Sequence, residues 1–234
     1  MIRFFNKLYK GSEADFYALL KDKLAGEERA FIVTANPEAF MFGEKDREVE
    51  ALLLDEATTV VADGIGIVKG SQMVGIPVAS RIPGIDIAQK LLEYGSELHK
   101  TVFFLGAKQE VMDALCAVVA QRYSGLTVVG AVNGYVDDKD LVFRDIKALK
   151  PDIVLVALGI PAQEKLIYKH LSDFDKGIFV GVGGSFDVLS GSKARAPEFF
   201  IKHNLEWLYR ISTEPSRLKR FYNSNIKFLL KLKK

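Results

Sequence analysis

The chain has 234 residues, 49% of them hydrophobic and 26% charged, which suits one large α/β domain or a domain with an appendage. The single Cys116 excludes a disulfide framework and a Cys-built zinc site, and His99, His170 and His203 are too scattered for a His-built one. The formal charge of +2 conceals an asymmetry: residues 193–234 hold eleven Lys or Arg against three Glu, a local +8, and leave −6 on residues 1–192.

The first ten residues contain no long apolar stretch and no small-residue cleavage site. No run approaches the ~18 apolar residues of a spanning helix. The expectation is a protein neither secreted nor integral to a membrane. In chain order, Ser12-Glu-Ala-Asp15 has the form of a capping box opening a helix, and Phe31–Val33 reads as a strand. Asn36-Pro37 places a cap and a first-turn proline at the next helix. Thr58–Ala62 is a second strand, and Pro83-Gly84 precedes a helical run over 85–98. Thr101–Leu105 follows as a strand, and Gly106-Ala107 opens a helix over 107–122. Leu126–Gly130, Asp152–Ala157 and Gly177–Gly181 complete six strands, all read as apolar on both faces. The alternation predicts a Rossmann-like, mostly parallel sheet with helices on both faces, spanning residues 1–192. Residues 193–234 contain no strand-like run. They read as a basic amphipathic helical appendage with Leu218, Phe221, Tyr222, Ile226, Leu229 and Leu232 along one face.

In open parallel sheets, ligands bind outside the carboxyl ends of the strands. The residues to weigh are therefore Thr34 and Asn36, Asp63, Gly106, Asn133–Tyr135, Gly159 and Gly183–Asp187. Asp63 carries the sharpest signal, because a carboxylate at a strand end is partly desolvated and suited to general-base work. The bland alternative is a helix cap. Arg81 lies in an apolar loop shaped by Pro and Gly, either facing substrate or tied in a structural ion pair. Tyr135 and Phe186 either stack a base or close the core rim. Gly64-x-Gly66 departs from the dinucleotide fingerprint in spacing, and no phosphate-loop motif occurs. Asp138-Lys-Asp140 and Asp173-Phe-Asp175 have the form of metal–nucleotide triplets but fall at helix ends, where Asp caps.

Thr34-Ala-Asn-Pro-Glu38, Ala62-Asp-Gly-Ile-Gly66, Arg81-Ile-Pro-Gly84, Gly159-Ile-Pro-Ala-Gln-Glu164, Val182-Gly-Gly-Ser-Phe-Asp187, Arg195-Ala-Pro197 and Leu205-Glu-Trp-Leu-Tyr-Arg210 occur in one order along the chain. Together, from about Ala30 to Arg220, they resemble the WecG/TagA/CpsF glycosyltransferase family, most strongly its teichoic-acid branch. The resemblance implies inverting, metal-independent transfer of a sugar from a UDP-sugar to undecaprenyl-diphosphate-linked N-acetylglucosamine, with no cofactor. N-acetylmannosamine is the expected sugar; N-acetylmannosaminuronic acid or another hexose is the alternative. It implies that Asp63 is the catalytic base and that Thr34, Asn36 and Arg81 form the donor and acceptor pocket. Gln163 would lie beside the reacting sugar, and Tyr135, Phe186 and Asp187 would hold the uracil. Arg210, Arg217 and Arg220 would close over the diphosphate. Gly106 and Gly159 are expected at the phosphate-facing strand ends. Three arginines are natural ligands for a diphosphate, because the guanidinium fork binds phosphate oxygens bidentately.

A lipid-linked acceptor also accounts for the basic end, since such a helix lies in the interface of an anionic membrane. The expected location is the inner face of the bacterial cell membrane, as a peripheral protein, with a homo-oligomer left open. Two competing readings are a nucleotide-cofactor oxidoreductase using Gly64-x-Gly66 and a nucleic-acid binder using the tail. The tail has few aromatics among its charges, which disfavours a base-stacking platform and nucleic acid as a partner.

Overall fold

The computed structural model describes residues 1–232, apart from the Arg217 side chain. Its centre is one six-stranded sheet in the order β2-β1-β6-β5-β3-β4, with every pairing parallel. The strands are β1 (Arg29–Ala35), β2 (Thr58–Ala62), β3 (Thr101–Gly106), β4 (Thr127–Val132), β5 (Ile153–Ala157) and β6 (Gly177–Gly181). The Rossmann-like expectation holds for the described residues.

Two apolar layers sandwich the sheet. On one face α1 (Ile2–Lys7), α3 (Pro37–Gly43), α4 (Arg47–Leu54), α8 (Lys139–Leu149) and α9 (Ala162–His170) bury Phe5, Phe40, Leu52, Phe143 and Ile167. On the other α2 (Glu13–Ala25), α6 (Gly84–Glu97), α7 (Gln109–Arg122) and α10 (Ser185–Leu189) bury Leu20, Leu91, Leu115 and Phe186. The Ser12–Asp15 capping box and the Asn36 cap with Pro37 at the first turn both form as read. One strand differs from expectation. β4 is half-buried to exposed along its length, because it is a sheet edge whose outer side has no neighbour. The other edge, β2, is closed by Leu8, which bridges Val60, and by Tyr9, whose N–H donates to the Val60 carbonyl.

After α5 (Ile65–Met73) a loop over residues 74–83 carries Arg81 to the mouth of the sheet. The end of the chain is helical, as its composition implies: α11 (Glu198–Lys202), α12 (Glu206–Thr213), α13 (Arg217–Phe221), a π-helical turn over Tyr222–Ile226, and α14 (Lys227–Leu232). Its apolar face is divided. Phe228 is completely buried against Phe5 and Phe40, and Leu229 and Leu232 pack on the same cluster. Leu218, Tyr222, Ile226 and Leu230 stay exposed. Docking is possible because α5 carries Gly70, where a Cβ would lie within 3.0 Å of Leu232, Phe228 and Phe5.

Candidate active site

A cavity of about 800 Å³ opens at the carboxyl ends of β2, β1, β6 and β5. Thr34, Asn36, Asp63, Arg81, Gly159, Gln163 and Asp187 line it from the sheet side. The tail supplies the opposite wall through Glu206, Trp207, Arg210, Arg220 and Phe221.

Asp63 follows β2 directly, and its N–H donates to Ala35 in the next strand, which fixes it at the cavity floor. It is not a helix cap. Gly64 holds the N-cap position of α5, and no side chain caps that helix. Burial pushes the Asp63 carboxyl up to about 6, against the opposing pull of Arg81 and Arg210; Glu206 adds to the rise and the Gly84 N–H offsets part of it. A carboxyl titrating there exchanges a proton close to neutrality, which is what a general base requires. Activity that depends on ionised Asp63 is expected to rise with pH through about 6, read as the acid limb of kcat/KM.

Burial pushes a second carboxyl, Glu164, up to about 7. It does not line the cavity, and its Oε2 has no hydrogen-bond partner among the described residues. Its Oε1 accepts a 2.7 Å bond from Gln163 Nε2. Gln163 is itself 1% exposed, and its Oε1 accepts from the N–H groups of Gly159 and Gly183, both at 3.1 Å. The side chain expected beside a sugar is thus occupied in joining the loops after β5 and β6. Gln163→Ala leaves both loop amides without an acceptor and is expected to cost about 1–3 kcal/mol of stability in a denaturant melt.

Thr34 and Asn36 line the cavity with their polar groups partly engaged. The Thr34 hydroxyl donates to the Gly181 carbonyl at 3.1 Å, and the Asn36 side-chain oxygen accepts from the Ala39 N–H. Arg81 lines the cavity and is tied in an ion pair there: its Nη2 lies 2.5 Å from Glu206 Oε2. Arg220, also on the cavity wall, grips Glu38 with Nη2 at 2.8 Å and Nε at 3.1 Å. Arg217 belongs to α13, but its side chain lies outside the described residues.

Three expected residues do not reach the cavity. Phe186 is fully buried edge-on against Phe104, because its position on α10 turns it into the core, so it offers no face to a uracil. Tyr135 is 73% exposed at the β4 edge, away from the cavity lining. Gly106 serves packing: at φ +125° a Cβ would lie 2.3 Å from the Ala157 carbonyl oxygen, so glycine lets β3 end close against β5. Asp187 does line the cavity, with Lys193 Nζ 3.8 Å away.

The other motifs are absorbed by structure. Gly66 is buried where a Cβ would lie 2.6 Å from Pro37, so it is a packing glycine. Asp138 caps α8, and Asp140 pairs with Lys169 and His170. Sequence reasoning missed Glu206, Glu38 and Trp207 as cavity residues. Trp207 stacks on Phe221 with centroids 4.5 Å apart and planes 10° from parallel, giving the tail wall a flat aromatic surface. The available signal for Glu206 was its i,i+4 spacing from Arg210 on one helix face.

The model of the glycosyl transferase WecG/TagA/CpsF family matches residues 4–234. The chain is 44% identical, over 82% of its length and 74% of the relative's, to the N-acetylglucosaminyldiphosphoundecaprenol N-acetyl-beta-D-mannosaminyltransferase of Bacillus spizizenii. It is 39% identical to the protein of that name from Bacillus subtilis over the same shares of the two chains. It is also 39% identical to that from Staphylococcus aureus, over 87% of this chain and 80% of the relative.

Proposed function

The chain belongs to the WecG/TagA/CpsF glycosyl transferase family, and from that premise we propose that it transfers N-acetylmannosamine from UDP-N-acetylmannosamine to undecaprenyl-diphosphate-linked N-acetylglucosamine. The product would be a β-1,4 linkage unit for wall teichoic acid. The observation that carries this reading is a strand-end carboxylate on the floor of a cavity of about 800 Å³, with Arg81 and Arg210 acting on it. Relatives of similar length bear the name of this reaction.

In this reading Asp63 takes the proton from the acceptor hydroxyl as that oxygen attacks the anomeric carbon. The bond to the UDP oxygen breaks on the opposite side, which inverts the centre. The departing diphosphate gains negative charge, and Arg81, Arg210 and Arg220 meet it with charge-assisted hydrogen bonds. The reaction so drawn is metal-independent, and turnover is expected to persist in excess chelator.

The acceptor is lipid-linked, and the tail offers a surface for lipid. Leu218, Tyr222, Ile226 and Leu230 are exposed among Lys219, Lys227 and Lys231. No helix among the described residues is long and apolar enough to cross a membrane. In this reading the tail docks peripherally on the inner leaflet, at roughly 1 kcal/mol per basic residue near an anionic surface. Binding to phosphatidylglycerol vesicles is expected to weaken steeply between 50 mM and 500 mM salt, and flotation of the protein with the vesicles measures it. The decisive assay is turnover of a panel of UDP-sugars on a synthetic lipid-diphosphate-N-acetylglucosamine. Preference for UDP-N-acetylmannosamine supports the reading, and preference for another donor reassigns the sugar.

A further inference from the structure

The reaction as proposed leaves one buried cavity carboxylate without a task. Glu206 stands at the first position of α12 and is 8% exposed. Its Oε2 accepts from Arg81 Nη2 at 2.5 Å. Its Oε1 lies 3.8 Å from Arg210 Nη2 and has no hydrogen-bond partner among the described residues. The same two guanidiniums act on Asp63, so two carboxylates share two arginines. Arg81 comes from the loop over 74–83 and Arg210 from α12, so Glu206 also bridges the core to the tail.

We propose that Glu206 is a positioning residue that holds Arg81, and Arg210 behind it, at the cavity wall and keeps them from closing a salt bridge onto Asp63. An arginine bound to Asp63 would occupy the oxygen that has to accept a proton, and would be withdrawn from the diphosphate. The charged groups acting on Asp63 are Arg81 from the 74–83 loop and Arg210 and Glu206 from α12, with the Gly84 N–H of α6 as a further donor. Removing the Glu206 charge takes away a neighbour that raises the Asp63 pKa and frees two that lower it. The consequence for catalysis rests on the reading of Asp63 as the base. The consequence for its titration does not.

The test is carbon-13 NMR of the full chain labelled at aspartate carboxyl carbons, with the Asp63 resonance assigned by its loss in Asp63→Asn. In the unaltered protein the midpoint is expected near about 6. In Glu206→Gln it is expected to fall by at least ~0.5 pH unit. An unchanged or higher midpoint overturns the proposal; because loss of the Glu206 charge by itself lowers the midpoint, the positioning role is read from Glu206→Asp, which keeps the charge and slackens the hold on Arg81. Should Glu206→Gln fail to fold, Glu206→Asp serves alone. Its midpoint is expected to fall by less, and no fall overturns the proposal equally. The acid limb of kcat/KM should follow the NMR midpoint downward. A midpoint that falls while the acid limb stays in place upholds the role of Glu206 and removes Asp63 as the base.

Discussion

Replacing Asp63 with Asn is expected to cut turnover by ~10²–10⁴-fold, the usual worth of a positioned general base, while UDP binding survives. The same substitution is expected to raise the melting temperature at pH 7. Burial holds the folded-state pKa at about 6, above the ordinary aspartate value of 3.8, so the native protein binds this proton more tightly than the unfolded chain does. Stability attached to the group is therefore fully present below about pH 4 and is lost as pH rises through about 6. At neutrality the ionised carboxylate costs up to ~3 kcal/mol, which the neutral amide does not incur. Calorimetry at pH 7 and pH 4 checks the sign: the gain of the Asn variant should shrink toward zero at the lower pH. Near-wild-type turnover in Asp63→Asn would remove this residue as the base.

Phe228→Ala is the second large effect, and it acts from outside the cavity. The ring is completely buried between Phe5 and Phe40, so its loss is expected to cost about 3–5 kcal/mol of stability. Because α14 is pinned there, and because Arg210 and Arg220 reach the cavity from the same tail, turnover is expected to fall well below that of a surface control such as Leu149→Ala on α8. Thermal melts measure the first effect, and kcat/KM on the lipid-linked acceptor measures the second. A Phe228→Ala protein that melts with the unaltered one would show that the tail is not held by this contact. The charge count points to a tail whose apolar face is all for lipid. The packing assigns Phe228, Leu229 and Leu232 to the core and leaves Leu218, Tyr222, Ile226 and Leu230 exposed.

The reading of the fold succeeded where the signal is local. Runs such as Ile153–Ala157 and Gly177–Gly181 are β-branched and apolar because central strands are covered on both faces. The Ser12 and Asn36 caps follow from side chains bonding amides three residues on. Exposure at β4 was missed because nothing within Thr127–Val132 records that the strand is last in the sheet. Phe186 was misplaced for a related reason: a residue one or two positions past a strand end faces the ligand or the core according to how the following helix turns.

The candidate site divides along the same line. Asp63 and Asn36 were legible because each is polar and follows an apolar strand, and a parallel sheet presents the carboxyl ends of its strands to ligand. Gln163 was legible through its motif as a residue at the cavity, but its bond to the Gly183 amide, 20 residues away, was not. The pairing of Arg81 with Glu206 spans 125 residues, and that of Arg220 with Glu38 spans 182. Periodicity and caps are properties of neighbours in the chain, so the sequence alone determined the parallel sheet, the strand-end aspartate and the basic helical end. Which arginine meets which carboxylate, and which tail residue is buried, depends on the distances created when the sheet closes and the tail folds back over it. Those choices belong to the tertiary structure, because charge pairing and burial are decided by proximity in space rather than along the chain.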